Sequence, residues 1–332
     1  MADDGRFLCR ELCSLEQGEL RILDALRWPT PLGTGLRIYT GVGIEAAVLR
    51  GTGPGGVDIT EIARVAGITV ISACGPAGEG AVTLRIAEGS LDLPTALPET
   101  DLFDDLDVFI AQRHHETPDQ LAEWLRYHTA HHGLTGVVLF DRSEPGPSQK
   151  EFATAMQAAV RDIGEIQRFV LVTSPLALGR TKYPALGDPA LAPRRKNRSF
   201  TPDRWRAPLA EAGLYDILKW RFLTRAGAVI ALDPCDVLRP SGDGIGAFQA
   251  TRKSHTGLMP VQGQMIYPWR VRKGRDPSLG DHICRADPPV RAPGRWALAP
   301  KRAAAGTVWL PGAVAGMAGL ADETLNYDRA SS

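Results

Sequence analysis

An α/β fold preceded by a β-rich unit is what this sequence predicts, on three observations. From residue 106 onward, apolar runs of strand length alternate with helical patterns, which implies βαβ units and a parallel sheet. Before that point, short apolar runs are punctuated by glycine, as in strands joined by turns. The chain has 332 residues, and at about 150 residues per domain that length suggests two domains. Residues 1–104 are therefore assigned to a β-rich N-terminal domain and 105–332 to an α/β domain.

In the first part, residues 8–26 read as a helix, and strands are expected over 36–39, 44–49, 68–74 and 81–86. In the last of these, Val82, Leu84 and Ile86 alternate onto one face. Leu91 to Asp105, with Pro94 and Pro98, reads as a linker.

The second part opens with a strand over 106–111. Thr117-Pro118-Asp119-Gln120 then starts a helix: Thr117 suits the N-cap, Pro118 the first helical position, and Gln120 completes a capping box. Leu121, Trp124, Leu125 and His128 recur at helical spacing, and Gly133 is placed to end the helix. A second strand follows over 136–141, so the three elements form a βαβ unit with a right-handed crossover. A helix over 150–167 carries Phe152, Met156, Val160 and Ile163 on one stripe, and Phe169 to Val172 is the third strand. The Pro- and Arg-rich stretch 174–202 has no periodicity, and loops of that length inside a domain tend to be functional or mobile. A helix over 203–225, broken near Pro208, leads to a fourth strand over 228–232 that ends at Asp233. Sites in open parallel sheets lie beyond the carboxyl ends of the strands, where Asp141 and Asp233 both fall.

Composition narrows the classes of function. Lys and Arg number 38 and Asp and Glu 38, so the net charge is zero, unlike a protein that coats nucleic acid or an anionic membrane. The hydrophobic share of 44% and charged share of 23% are those of a globular chain. Five widely spread cysteines are no disulfide framework and suit a reducing compartment. The first thirty residues lack a basic start and apolar run, and no apolar stretch has spanning length, so a cytoplasmic protein without a transmembrane segment is expected.

Two motif blocks carry a family resemblance. Arg113-His114-His115-Glu116 precedes Leu121-Ala122-Glu123-Trp124-Leu125-Arg126-Tyr127-His128 and the strand 136–141. Further on stands Asp233-Pro234-Cys235-Asp236-Val237-Leu238-Arg239-Pro240. Over roughly residues 106–302 this resembles family-2-type bacterial glycosyltransferases, whose pattern is Arg-Asn-Glu, Leu-x-Glu-Trp-x-x-Tyr-His, Asp-Asn-x-Ser and Asp-x-Asp-Glu-Phe-Leu-x-Pro. The resemblance implies a glycosyltransferase A-type, Rossmann-like mixed sheet flanked by helices, behind an N-terminal β-rich accessory domain. It implies transfer of a sugar from a UDP-type nucleotide-sugar to a hydroxyl of a glycan or lipid-linked acceptor, with Mn²⁺ or Mg²⁺ at the departing diphosphate. Carried over, Asp233 and Asp236 stand beside the metal and diphosphate, Asp141 near the nucleoside, and Arg113, His115 and Glu116 at the rim of the first strand. Cys235 replaces the second acid of the pattern, and a thiol is a poor ligand for a hard cation. Trp296 to Arg302 is similar to the family's late Lys-x-x-x-x-Pro block, but no His follows it.

Other signals leave rivals open. Asp233, Asp236 and Asp141 also suit plain turn and strand-end roles. Glu123, Trp124, Tyr127 and His128 suit core roles, the last two satisfying hydrogen bonds beneath the sheet. Five of the seven histidines lie between His114 and His132, with His128 and His132 one helical turn apart, which motivates a metal-dependent hydrolase as one rival. A transferase fold kept for binding or assembly is the other, motivated by Cys235 and by the missing late His. Gly41-x-Gly43-x-x-Ala46 imitates a dinucleotide fingerprint but reads as a hairpin turn. Basic runs at Arg194–Arg198 and Arg270–Arg275 are solvated surface or anion contacts. Asp276, Asp281 and Asp287 are candidates by location for a general base.

Overall fold

The structure is a computed structural model. It describes residues 5–18, 20–31, 33–41, 58–65, 67–75, 82–86, 89–113, 115–180, 202–209, 213–241, 244–268, 278–303, 306–317 and 324–330. The expected strand 44–49, most of the Gly41 motif and of the 174–202 loop, both basic runs, Asp276 and His114 lie outside the described residues.

In chain order the strands are β1 (Phe7–Glu11), β2 (Leu15–Gln17), β3 (Leu20–Thr30), β4 (Gly33–Thr40), β5 (Asp58–Val65), β6 (Ile68–Gly75), β7 (Val82–Ile86) and β8 (Gly89–Leu93). Then come β9 (Asp107–Arg113), α1 (Pro118–His132), β10 (Gly136–Asp141), α2 (Pro147–Asp162), β11 (Arg168–Thr173), α3 (Leu214–Leu218), β12 (Ala228–Ala231), β13 (Asp236–Leu238) and α4 (Ala247–Lys253). The chain continues with β14 (Leu258–Pro268), β15 (His282–Arg285), β16 (Arg291–Leu298), β17 (Val308–Leu310), β18 (Ala313–Ala315) and β19 (Leu325–Ala330). Two compact units result. The first comprises Met1–Arg10, Thr100–Val172 and Leu223–Ser332; the second comprises Glu11–Glu99 and Thr173–Phe222. Compared with a division at 104/105, the chain start joins the α/β unit and Thr173–Phe222 joins the β-rich one.

The first unit is mixed α/β. Its large sheet runs β1-β11-β10-β9-β12-β16-β14-β19-β13. The four expected strands β9, β10, β11 and β12 pair in parallel, with Val137 beside both Phe109 and Phe169, and Val229 beside Val108. Beyond β12 the sheet turns mixed: β16 is antiparallel to β12 and β14, and β19 is parallel to β14. Phe109, Ala111, Val137, Leu139, Phe169, Leu171 and Ile230 face one way and pack with Trp124, Met156 and Phe248 of α1, α2 and α4. The alternate residues Val108, Ile110, Val138, Phe140, Val170 and Val172 are buried as well. Burial on both faces explains why these strands read as continuous apolar runs. Both ends of α1 match the sequence: the Thr117–Gln120 capping box is formed, and Gly133 closes the helix in the left-handed conformation, φ 74°.

The second unit is built on an antiparallel sheet of order β2-β3-β4-β6-β5, with β7 and β8 forming a hairpin. Leu20, Ile22, Ala25, Ile38, Ile71, Leu91 and Leu93 make its core. Arg221 and Asp24, both buried, form an ion pair at 3.1 Å inside it. Arg221 lies in a π-helical turn over Lys219–Leu223.

Three sequence readings are corrected. The described residues of 8–26 form no helix but parts of β1, β2 and β3: a bulge between Ile22 and Asp24 shifts the alternation of β3, so Leu20, Ile22 and Ala25 share a face at a spacing that imitates a helix. The linker 91–105 begins inside β8, where Leu91 and Leu93 are core residues. In place of a helix over 203–225, Asp203 Oδ1 caps a turn by accepting from the N–H groups of Trp205 and Arg206. The helix begins only at Leu214, consistent with Pro208 lacking a donor.

Strands β14, β16 and β19 are not legible in the sequence; Pro260 and Pro268 hide β14 and Pro293 hides β16. At Gly263 the fold demands glycine, because a Cβ there would overlap the buried Tyr327 ring. Gly263→Ala is therefore expected to lower stability by about 1–3 kcal/mol in urea denaturation. Wild-type stability would show that the β14–β19 contact is looser than described.

Candidate functional site

The order β11-β10-β9-β12 contains a topological switch. The chain runs from β9 outward through β10 and β11, then returns to the other side of β9 at β12. In open sheets ligands bind in the crevice beyond the carboxyl ends of the two strands at such a point. Here those ends supply Gln112 and Arg113 as the last residues of β9 with Glu116 just beyond, and Asp233, Cys235 and Asp236 after β12.

The acidic block is a tight turn. The Asp236 N–H donates to the Asp233 carbonyl at 2.8 Å, and Pro234 takes the second position, which suits its fixed φ. The Asp233 N–H in turn donates to Asp236 Oδ2 at 3.2 Å. Asp233 Oδ1 accepts from the Gln112 N–H at 3.3 Å, which fastens the turn to the end of β9.

Two arginines close over the carboxylates. Arg295, on β16, donates through Nε to Asp236 Oδ2 at 3.0 Å and pairs through Nη2 with Asp233 Oδ2. Arg329 stands opposite Asp236 in the β13–β19 register. Its Nε lies 3.3 Å from Asp236 Oδ1, and its Nη2 lies 3.4 Å from Asp233 Oδ2 and 3.3 Å from Cys235 Sγ. Burial raises the Asp236 carboxyl, against the pull of Arg295 and Arg329. Burial, then the Asp236 charge, holds the Cys235 thiol well above its ordinary range. The thiol is therefore protonated at neutral pH, and it faces Asp236 Oδ1 at 3.7 Å.

Helix α1 supports this turn from below. The Trp124 indole N–H donates to the Asp236 carbonyl at 2.8 Å. Tyr127 OH donates to the Leu238 carbonyl at 2.8 Å, and His132 Nε2 reaches the same oxygen at 3.2 Å. His128 Nε2 accepts the Leu238 N–H at 3.2 Å, so its proton is on Nδ1, which donates to the Trp124 carbonyl at 2.8 Å. Both ring nitrogens of His128 are thus spent on backbone. The Glu-Trp-x-x-Tyr-His block is the brace of the acidic strand, as the core reading of Trp124, Tyr127 and His128 expected.

The remaining candidates gather at β9 and β10. Asp141 is buried; its Oδ1 accepts from Arg113 Nη1 at 2.8 Å and from the Ser143 N–H at 3.1 Å, and its Oδ2 accepts from Ser143 Oγ at 2.8 Å. Arg113 also donates from Nε to the Glu116 carbonyl at 2.9 Å and lies 3.6 Å over the Phe152 ring. His115 is exposed, and its backbone N–H donates to Glu116 Oε2 at 3.1 Å. The Glu116 charge reaches Cys235 and helps to raise its thiol, which links the two groups. Of the base candidates, Asp281 caps its own turn, accepting from Ser278 N–H and Oγ at 2.9 and 3.0 Å, and Asp287 is exposed.

The residues present do not fit a hard divalent cation. Each carboxylate is already held by two guanidiniums, and the group between them is a protonated thiol. Among the described residues no set of three or more His, Cys, Asp and Glu side chains is gathered as a metal site. Nor is any described helix long and apolar enough to cross a membrane. Arg295 and Arg329 escaped the sequence reading. Arg295 directly precedes the Trp296 block, which was the one local signal for it; nothing near Arg329 marks its role. No protein-family model and no curated protein matches the chain.

His128 yields a pH prediction. Burial lowers its pKa from 6.5 to about 3. Below pH 6.5 the unfolded chain takes up a proton there and the folded chain does not, so stability is complete above 6.5 and lost as pH falls toward 3. The slope from one such group reaches about 1.4 kcal/mol per pH unit. His128→Gln should flatten the fall between pH 6 and 4 by about 1 kcal/mol per unit in denaturant titrations. Parallel curves for the two proteins would mean that His128 is not buried in neutral form.

Proposed function

We propose that the protein is a nucleotide-sugar-dependent glycosyltransferase with a glycosyltransferase A-type α/β domain. The observation that carries this reading is the placement of the Asp233–Asp236 turn at the switch between β9 and β12. Support also comes from the mixed sheet beyond β12 and from α1, whose Trp124, Tyr127 and His128 fix the backbone of that turn. The donor would be a UDP-type nucleotide-sugar. Its diphosphate would lie over the acidic turn and its nucleoside toward the Arg113–Asp141 pair. The acceptor would be a hydroxyl of a glycan or lipid-linked saccharide. Arg113, aligned by Asp141, Glu116 and Phe152, is the side chain best held to orient the nucleoside. We also propose a cytoplasmic location.

A second reading has one observation of its own. Both acidic side chains are satisfied within the chain, as they would be in a transferase fold retained for binding or assembly.

Calorimetry with UDP, GDP, CDP and TDP in Mn²⁺ buffer separates the readings, alongside an assay of donor-sugar hydrolysis. The transferase reading expects one diphosphate to bind at micromolar to millimolar Kd. It also expects Cys235→Asp, which restores a third carboxylate, to tighten Mn²⁺ binding at least tenfold. If no nucleotide binds either protein and the substitution leaves Mn²⁺ binding unchanged, the binding-or-assembly reading stands instead.

A further inference from the structure

The charged cluster after β12 is layered. Asp236 is wholly buried, and the side chains of Arg295 and Asp233 are 6% and 8% exposed. Arg329, at 19%, is the outermost of the four. A solute entering the crevice at the switch point therefore meets a guanidinium before it meets a carboxylate. Arg295 is fully committed, since its Nη1 reaches the Pro311 carbonyl at 3.4 Å while Nε and Nη2 hold the two acids. Arg329 is not: Nε and Nη2 hold Asp236, Asp233 and Cys235, and among the described residues Nη1 donates to no one.

We propose that Arg329 takes the place of the divalent cation at this site, binding the diphosphate of a nucleotide directly through Nη1. The proposal rests on the nucleotide-sugar reading above and adds that binding there is independent of metal. Arg295 is a positioning residue that neutralises Asp233 and Asp236 so that an anion can approach. Two carboxylates and two guanidiniums sum to zero, so net charge favours neither ion and the outermost group, Arg329, decides which one is met favourably. A metal ion reaching the acids would also have to displace Arg329 and strand a partly buried guanidinium, which is strongly unfavourable where one partner of a buried pair is lost. A diphosphate displaces nothing. Arginine presents paired N–H donors in the planar geometry that phosphate oxygens accept.

The test is to titrate the nucleoside diphosphate that binds best into the wild-type protein, once after exhaustive EDTA treatment and once with excess Mn²⁺. The expected Kd values agree within about threefold, and Arg329→Gln raises Kd at least tenfold in EDTA while circular dichroism stays native. A Kd that tightens tenfold or more with Mn²⁺ overturns the proposal and leaves the nucleotide-sugar reading in place. So does an Arg329→Gln protein, or an Arg329→Lys protein should the first fail to fold, that binds as tightly as wild type. If no nucleoside diphosphate binds under either condition, the nucleotide-sugar reading falls and this proposal falls with it.

Discussion

Two carboxylates and two guanidiniums share a nearly dry volume at the end of β12, and much of the α/β unit is arranged around keeping them there. Asp233 and Asp236 are at most 8% exposed. A buried carboxylate costs several kcal/mol unless it is paired and hydrogen-bonded. The partners come from far along the chain: Arg295 from β16 and Arg329 from β19. Neither can arrive unless the antiparallel half of the sheet has formed, with β16 beside β12 and β19 beside β13. The charge cluster therefore ties the parallel half of the sheet to the mixed half.

The same constraint explains the work of α1. A turn carrying two buried acids needs a fixed backbone, because a small displacement would leave an acid without its arginine. Four side chains of one helix provide that: Trp124, Tyr127, His128 and His132 satisfy the Asp236 carbonyl and both backbone polar groups of Leu238. His128 and His132 both act on Leu238 through Nε2, the first accepting its N–H and the second meeting its carbonyl. His128 must stay uncharged to accept that N–H, and burial lowers the pKa values of both histidines. A histidine pair at metal-ligand spacing thus serves as backbone hydrogen-bonding equipment.

What could be read from the sequence was local. The Thr117–Gln120 capping box, Gly133 and the four parallel strands follow from contacts a few residues apart or from runs buried on both faces. Reading failed where the period is broken by tertiary structure: the bulge in β3 imitated a helix, and Pro260, Pro268 and Pro293 hid β14 and β16. The site was half legible. Asp233 and Asp236 stood out as an acidic block after an apolar strand, whereas Arg295 and Arg329 become site residues only through strand register. Arg329 opposes Asp236 across a ladder between segments that are distant in sequence, and no local pattern encodes that pairing.

The most direct test of this account is a double-mutant cycle on Asp236 and Arg295, with Asp236→Asn and Arg295→Met made singly and together and stability followed by urea denaturation. If the buried cluster holds the unit together, each single change leaves its two acids and two arginines out of balance by one buried charge and costs about 3–5 kcal/mol. The double variant should then recover much of that loss, with a coupling energy above about 2 kcal/mol. Additivity within about 0.5 kcal/mol would contradict the account, because it would mean the two side chains do not share a desolvated interaction.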